Sequence, residues 1–268
     1  MRSESKCSNL QEDLDSLSAW CNKWKLQLNI SKCNSITFTN KRKNIILFDY
    51  DIAGIHLNRV QEVKDLGVTI ASNLTYDTHL RNIRGKAHRL LGLLRRNCLN
   101  TFSKRTNKIL YVSLVRPQLE YASVVWSPYH VTKVNIIESV QKRFFKLLCF
   151  HSKINYNDFN YSALCTAFNL FSLVSRRDRS DMIFLYKICN DHMDSCLIQY
   201  INFYVPNRFT RARQTFRINK VRINVSKFAT LNRLQTSYNH HINNIDTLDI
   251  FVNTLLEFKN LVNVSLRS

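Results

Sequence analysis

Residues 111–129 read Tyr111-Val-Ser-Leu-Val-Arg-Pro117-Gln-Leu-Glu-Tyr121-Ala-Ser-Val-Val-Trp126-Ser-Pro128-Tyr129, and a basic amphipathic stretch follows to residue 148. Two prolines bracket a short aromatic segment. Each lacks a donor N–H and biases the residue before it away from helix. The pattern predicts a helix over 104–116, a sharp break, a buried aromatic helix over 117–126, a second break, and a helix over 131–149. In the last of these, Val134, Ile137, Val140, Phe144 and Leu147 turn inward. Glu138 and Lys142 stand four apart in the favourable orientation for an ion pair, and Lys146 extends the basic side.

Upstream of this stretch, a helix over 79–97 places Leu80, Ile83, Ala87, Leu90, Leu91 and Leu94 on one side, with Arg81, Arg84, His88 and Arg95 in an arc beside them. Downstream, helices are expected at 158–168, 171–194, 228–241 and 246–262, with an exposed strand or hairpin in 200–227. The first 72 residues differ. A helix over 9–25, opened by the capping-box spacing of Asn9 and Glu12, carries the stripe Leu10, Leu14, Leu17, Cys21 and Trp24. Short strands follow at Cys33–Phe38 and Ile45–Phe48 around the basic turn at 40–43. A strand pair is expected over 56–60 and 63–70, with Leu66, Val68 and Ile70 on one face. The expected fold class is α+β, a small antiparallel β part followed by a mostly helical remainder.

The 268 residues are 45% apolar with only four Gly and three Pro, which excludes wholesale disorder and turn-rich all-β folds. The net charge is +20, unevenly placed: residues 81–116 hold ten Lys or Arg and no acid, and residues 201–227 hold seven and none. Acid-free basic blocks of this kind point to a polyanionic partner, nucleic acid or an anionic surface. No apolar run reaches the ~18 residues of a membrane span. The N-terminus lacks a signal-type apolar stretch, and the eight scattered cysteines suit a reducing compartment. The expectation is an intracellular protein of nucleus or cytoplasm, neither secreted nor membrane-bound.

Sites for chemistry are harder to find. Asp13 with Asp15, and Asp49 with Asp51, are the acid pairs nearest to a two-metal arrangement, and neither lies at an apolar strand end with a third acid. Cys189, His192 and Cys196 have ligand chemistry, but three residues on one helical stretch do not close a tetrahedral site. His240 and His241 read as an exposed helix end. Metal ligands are therefore assigned to none, and no phosphate loop or nucleophile motif is present.

An ordered set of segments resembles the reverse transcriptases of non-long-terminal-repeat retrotransposons, particularly the jockey-like group. These are Leu10-Gln-Glu-Asp-Leu-Asp with Trp20 and Trp24, Leu28-Asn-Ile-Ser-Lys-Cys33, Val63-Lys-Asp-Leu-Gly-Val68, Leu74-Thr-Tyr-Asp-Thr-His79 with Lys86-Ala87, Leu114 to Tyr121 through Trp126-Ser-Pro128, and Gln141-Lys-Arg-Phe144. Arg233 and Phe258-Lys259 fit the weaker C-terminal pattern. The resemblance implies the end of a palm with a primer grip over 1–72, a basic helical thumb over 73–150 and a helical connection region over 151–268.

By the same resemblance, Lys32 is the general acid that helps protonate the leaving pyrophosphate. Asp65, Leu66, Gly67 and Val68 form the primer grip, where Gly67 allows close backbone approach. Arg81, Arg84, Arg89, Arg95, Arg96, Lys104, Arg105 and Lys108 are the expected contacts to an RNA or DNA template–primer. The family's catalytic carboxylates lie in upstream motifs, the later an aromatic-x-Asp-Asp hairpin, and this sequence contains neither. Mg2+ belongs to the complete enzyme, and no cofactor is expected in this chain. The polypeptide alone is expected not to polymerise DNA. Its alternatives are a subunit completed by a separate catalytic half, a domesticated nucleic-acid-binding module, and a non-functional relic.

Overall fold

The computed structural model describes residues 4–39, 46–98, 101–156, 160–193, 196–205, 214–218, 221, 224–245 and 247–266. The expected turn at 40–43, the start of the strand at 45–48 and much of 200–227 lie outside these residues. Among them, no helix is long and apolar enough to cross a membrane. The elements are helical with a few short strands, so the fold is α+β as expected, and it divides into two compact units, Met1–Arg81 and Asn82–Ser268.

In the first unit, α1 (Glu4–Lys23) starts before the Asn9–Glu12 pair, which lies inside the helix rather than capping it. Only Cys21 of its predicted apolar stripe is buried, while Leu10, Leu17 and Trp24 are exposed. The helix is held to β2 (Asp51–Ile52) by the Gln11 amide, which accepts from the Asp51 N–H at 3.1 Å and donates to the Asp51 carbonyl at 3.0 Å. A side-chain amide here takes the hydrogen-bonding place of a neighbouring strand.

The strands are shorter and paired differently from the expectation. Only β1 (Asn34–Ser35) forms within 33–38, and it pairs in parallel with β4 (Asn58–Arg59). Strand β2 pairs with β3 (Ile55–His56), while β5 (Glu62–Asp65) and β6 (Val68–Ala71) form a hairpin in register Asp65↔Val68. Leu66 and Gly67 are therefore the two turn residues, at φ 42° and 87°. Positive φ at both positions gives the backbone twist that a two-residue hairpin needs. Leu66 cannot then share a face with Val68: it is 84% exposed, whereas Val68 is buried.

The second unit continues α2 (Asp77–Asn97) and adds α3 (Lys104–Leu110), α4 (Arg116–Glu120), α5 (Ser123–Trp126), α6 (Val131–His151), α7 (Tyr161–Ala167), α8 (Leu173–Cys189), α9 (Asn224–Lys227), α10 (Thr230–Ile242) and α11 (Leu255–Ser265). Pro117 does not break the chain. A five-residue π turn, Tyr111–Val115, joins α3 to α4 and leaves Pro117 in the first turn of α4, where a missing N–H costs nothing. The break falls at Tyr121–Ala122 instead, with Ala122 left-handed at φ 52°. Trp126, 1% exposed, fixes that corner by donating Nε1–H to the Tyr121 carbonyl at 2.7 Å.

Tyr111 stacks on Phe144 with ring centroids 4.0 Å apart, so the two ends of the deciding stretch close on each other. A second core joins α8, α10 and α11 through Met182, Leu185, Leu234, Tyr238 and Phe258. Each such aromatic or aliphatic side chain contributes about 1.5–3 kcal/mol by burial. The region after residue 150 thus belongs to the same compact unit as α2 to α6.

Glu138 is not the partner of Lys142. It is 4% exposed and closes the N-terminus of α8, accepting from the N–H groups of Leu173 at 3.3 Å and Val174 at 2.6 Å and from the Tyr161 hydroxyl. Arg177, 3% exposed, lies 3.9 Å from it. Lys142 instead sits 5.1 Å over the Tyr161 ring. His241 is likewise not an exposed helix end. It is buried, with Nε2 2.6 Å from Asp178 and Nδ1 2.6 Å from the Ser265 hydroxyl, while His240 is exposed.

Candidate nucleic-acid interface

The 3.6-residue repeat divides α2 into three strips. Ile83, Ala87, Leu91 and Leu94 are buried. On one flank of that strip stand Arg84, His88 and Arg95, and on the other Lys86, Arg89 and Arg96. Between Arg84 and Arg95 on one side and Arg89 and Arg96 on the other, the helix carries Gly85 and Gly92. A Cβ at Gly85 would meet no atom within 4 Å. A Cβ at Gly92 would lie 3.6 Å from Arg96 Nη1, so the Arg96 side chain covers that position and Gly85 is the bare one.

The Arg84 row continues onto α6. Burial, with Arg84 and Arg143 close by, pushes the His88 imidazole below its ordinary pKa, which places Arg143 beside the row. Lys104, at the start of α3, lies close enough to the Cys149 thiol of α6 to oppose the upward push of burial there. Ser103 caps α3 by accepting the Thr106 N–H at 3.2 Å, so Lys104 and Arg105 occupy its first turn. Cations are unfavourable at that end of a helix dipole, so helix stability does not account for them.

The cations of this unit fall into two populations. Arg116 and Arg176 pair with Glu120, Arg177 with Glu138 and Arg233 with Asp181, all partly or fully buried. By contrast, Arg84, Arg89, Arg95, Arg96, Lys104 and Arg105 are exposed, Lys108 is half-buried, and none of them forms an ion pair among the described residues. The first set holds α8 in place. The second is left for a partner. The basic run of residues 81–116 was visible in the sequence, but the contribution of Arg143 required the fold to bring α6 beside His88.

Arg81 belongs to the first unit and is tied there. Its guanidinium donates to the Thr78 hydroxyl at 3.3 Å, and Thr78 donates to Glu62 of β5 at 2.5 Å. The Thr69 N–H donates to His79 Nδ1 at 3.2 Å, which fastens β6 to the first turn of α2. The hairpin thus projects Asp65, Leu66 and Gly67 into solvent from a fixed base. Lys32 ends a short 3-10 turn, Ile30–Lys32, and is exposed.

Among the described residues, the acids of the first unit are engaged singly rather than as a cluster. Asp49 pairs with Arg59 at 3.1 Å, Asp51 accepts the Gly54 N–H at 3.2 Å, and Asp15 accepts from Gln11 at 2.9 Å. Among the described residues, no group of three His, Cys, Asp or Glu could hold a metal ion. The residues present do not fit the Mg2+ of a polymerase site. Burial raises the Cys189 thiol to about 11, and His192 stacks on Tyr186 rather than facing a ligand set.

Curated relatives resemble part of this sequence. The chain is 30% identical over 146 residues to the probable RNA-directed DNA polymerase from transposon BS of Drosophila melanogaster, covering 52% of the chain and 16% of that protein. It is 30% identical over 140 residues to the RNA-directed DNA polymerase from mobile element jockey of the same fly, covering 49% of the chain and 15% of that protein. The jockey polymerase of Drosophila funebris is 32% identical over 143 residues, again 50% and 15%. Over half its length the chain is a homologue of jockey-type RNA-directed DNA polymerases. The resemblance read from the short motifs therefore holds, and the matched part spans about one sixth of each relative. No family model matches the chain, and no solved structure matches it.

Proposed function

We propose that this chain is a template–primer-holding part of a jockey-type RNA-directed DNA polymerase, binding nucleic acid without polymerising it. The observation that carries the reading is the set of exposed, unpaired cations on α2 and α3 in a chain related to such polymerases. Arg84, Arg89, Arg95 and Arg96, with Lys104, Arg105 and Lys108, take phosphates along two sides of α2. Arg81 adds a weaker contact because Thr78 already holds it. The open position at Gly85 lets a duplex approach the helix closely.

The β5–β6 hairpin supports the primer-grip reading of Asp65 to Val68, since its turn is exposed and its base is hydrogen-bonded. Residues 1–72 then correspond to the palm end, 73–150 to the thumb and 151–268 to the connection region. Lys32 serves as a proton donor only where a nucleotide site stands opposite it, and this sequence has no aromatic-x-Asp-Asp motif to build one. The protein acts inside the cell, where its nucleic-acid partner is.

Replacing Arg84 and Arg95 together by Ala tests the reading. Each lost phosphate contact lowers the slope of log affinity against log salt by about one. An unchanged slope removes these residues from the interface.

A further inference from the structure

Phe150 lies near the C-terminal end of α6, two turns beyond Arg143. It is 82% exposed at the second-last position of the helix, one turn after the exposed Lys146. Residues 139–156 contain Lys142, Arg143, Lys146 and Lys153 and no acid, and Glu138, the acid before them, is buried. Phe150, His151, Lys153, Ile154 and Asn155 line a shallow depression of about 620 Å³. Lys146 Nζ sits 5.0 Å over the Tyr156 ring, so its ammonium is held at the same helix end.

The way α6 stops is also informative. The Ile154 N–H reaches back to the Cys149 carbonyl at 3.0 Å and the Lys153 N–H to the Phe150 carbonyl at 3.1 Å, with Lys153 left-handed at φ 54°. This is the Schellman ending, in which the left-handed residue is ordinarily glycine. Here a lysine occupies the strained position and stands beside the exposed ring.

We infer that Phe150 with Lys146 and Lys153 is a binding site for single-stranded nucleic acid, separate from the duplex face of α2. An unpaired base stacks on the Phe150 ring, and the two ammonium groups take the adjoining phosphates. Such a site is sequence-tolerant because every base has a π face. The acid-free surround favours a polyanion over an apolar protein segment. None of its three residues is among the α2 and α3 cations, so it can be tested apart from the reading above.

The test is fluorescence anisotropy of the full chain with a short labelled oligouridylate and with a blunt RNA–DNA duplex, for Phe150→Ala, Phe150→Trp and Lys153→Gly. Phe150→Ala weakens oligouridylate binding about thirtyfold, at the middle of the range for one stacked base, and leaves duplex binding unchanged. Phe150→Trp retains it. Lys153→Gly raises the melting temperature, by relieving the left-handed lysine, while weakening the single strand. That opposite movement cannot come from misfolding. Oligouridylate affinity unchanged in Phe150→Ala overturns the site, as does an equal loss for duplex. Binding of an acidic peptide in place of the oligonucleotide would make this a protein-docking surface instead.

Discussion

Glu138 Oε1 accepts the backbone N–H of Val174 at 2.6 Å, so a carboxylate from the middle of α6 terminates α8 from inside the core. The same carboxylate faces Arg177 and receives the Tyr161 hydroxyl, and Gln141, one turn on, accepts from Tyr111 and donates to Tyr161. The helix that extends the cation surface through Arg143 is thus positioned by a buried polar network.

Breaking that network is costly. Glu138→Gln takes the ion-pair partner from the buried Arg177, leaving it only the charges of Asp181 and Glu120, and a loss of about 3 kcal/mol is expected. Urea unfolding followed by circular dichroism measures it. A loss below about 1 kcal/mol would mean that Arg177 finds another partner.

Ala122 makes the corner that Pro117 does not. A non-glycine residue in left-handed backbone costs roughly 1–2 kcal/mol, so Ala122→Gly stabilises the fold by about 1 kcal/mol after the entropy of the added glycine is deducted. A rise in the thermal midpoint checks this. A fall would place the strain elsewhere.

His88 links the cation face to pH. Burial first, then Arg84 and Arg143, hold its pKa below the ordinary 6.5. The neutral ring is therefore the folded form. Its contribution to stability is full above pH 6.5 and is lost as pH falls through the lowered value, because the unfolded chain takes the proton first. A bound polyanion reverses the push from the two arginines. Nucleic-acid binding then takes up a proton and tightens below pH 6.5, while His88→Gln flattens this dependence. Isothermal titration in buffers of different ionisation enthalpy reads the proton directly.

Gly85→Leu separates packing from charge. The added Cβ meets no atom within 4 Å, and helix propensity improves by about 0.5–1 kcal/mol. Stability should rise while duplex affinity falls several-fold, and single-strand affinity at Phe150 should not move. Unchanged duplex affinity would mean that the helix backbone does not approach the ligand.

Much of this architecture was legible in the residues, and the failures share a cause. The period of Leu80, Ile83, Ala87, Leu91 and Leu94 located α2, and an acid-free run marked its cations. What local pattern could not supply was the tertiary partner. Glu138 and Lys142 have ion-pair spacing, yet the orphan N–H groups of α8 and Arg177 claimed the carboxylate. Pro117 carries a break signal, yet the π turn before it put the proline in a first turn that tolerates it. His241 looked like a helix end until Asp178 and Ser265 enclosed it. The strand register around residues 51–71 failed because Leu66 sits at a turn where its side chain type is unusual. On the site itself, the sequence marked the cations of α2 and α3 but not the exposed ring at Phe150, because one aromatic in a helical pattern reads as core.

The most direct test is binding of the whole chain to a recessed RNA–DNA template–primer and to a blunt duplex of equal length, across a salt series. If about six to ten phosphates are held, affinity falls by ~10³–10⁵ between 50 and 200 mM salt. Tighter binding to the recessed end, with that slope, is the predicted result. Equal, weak binding to both with a shallow slope in a folded sample would contradict the account, because the unpaired cations of α2 would then hold no template–primer.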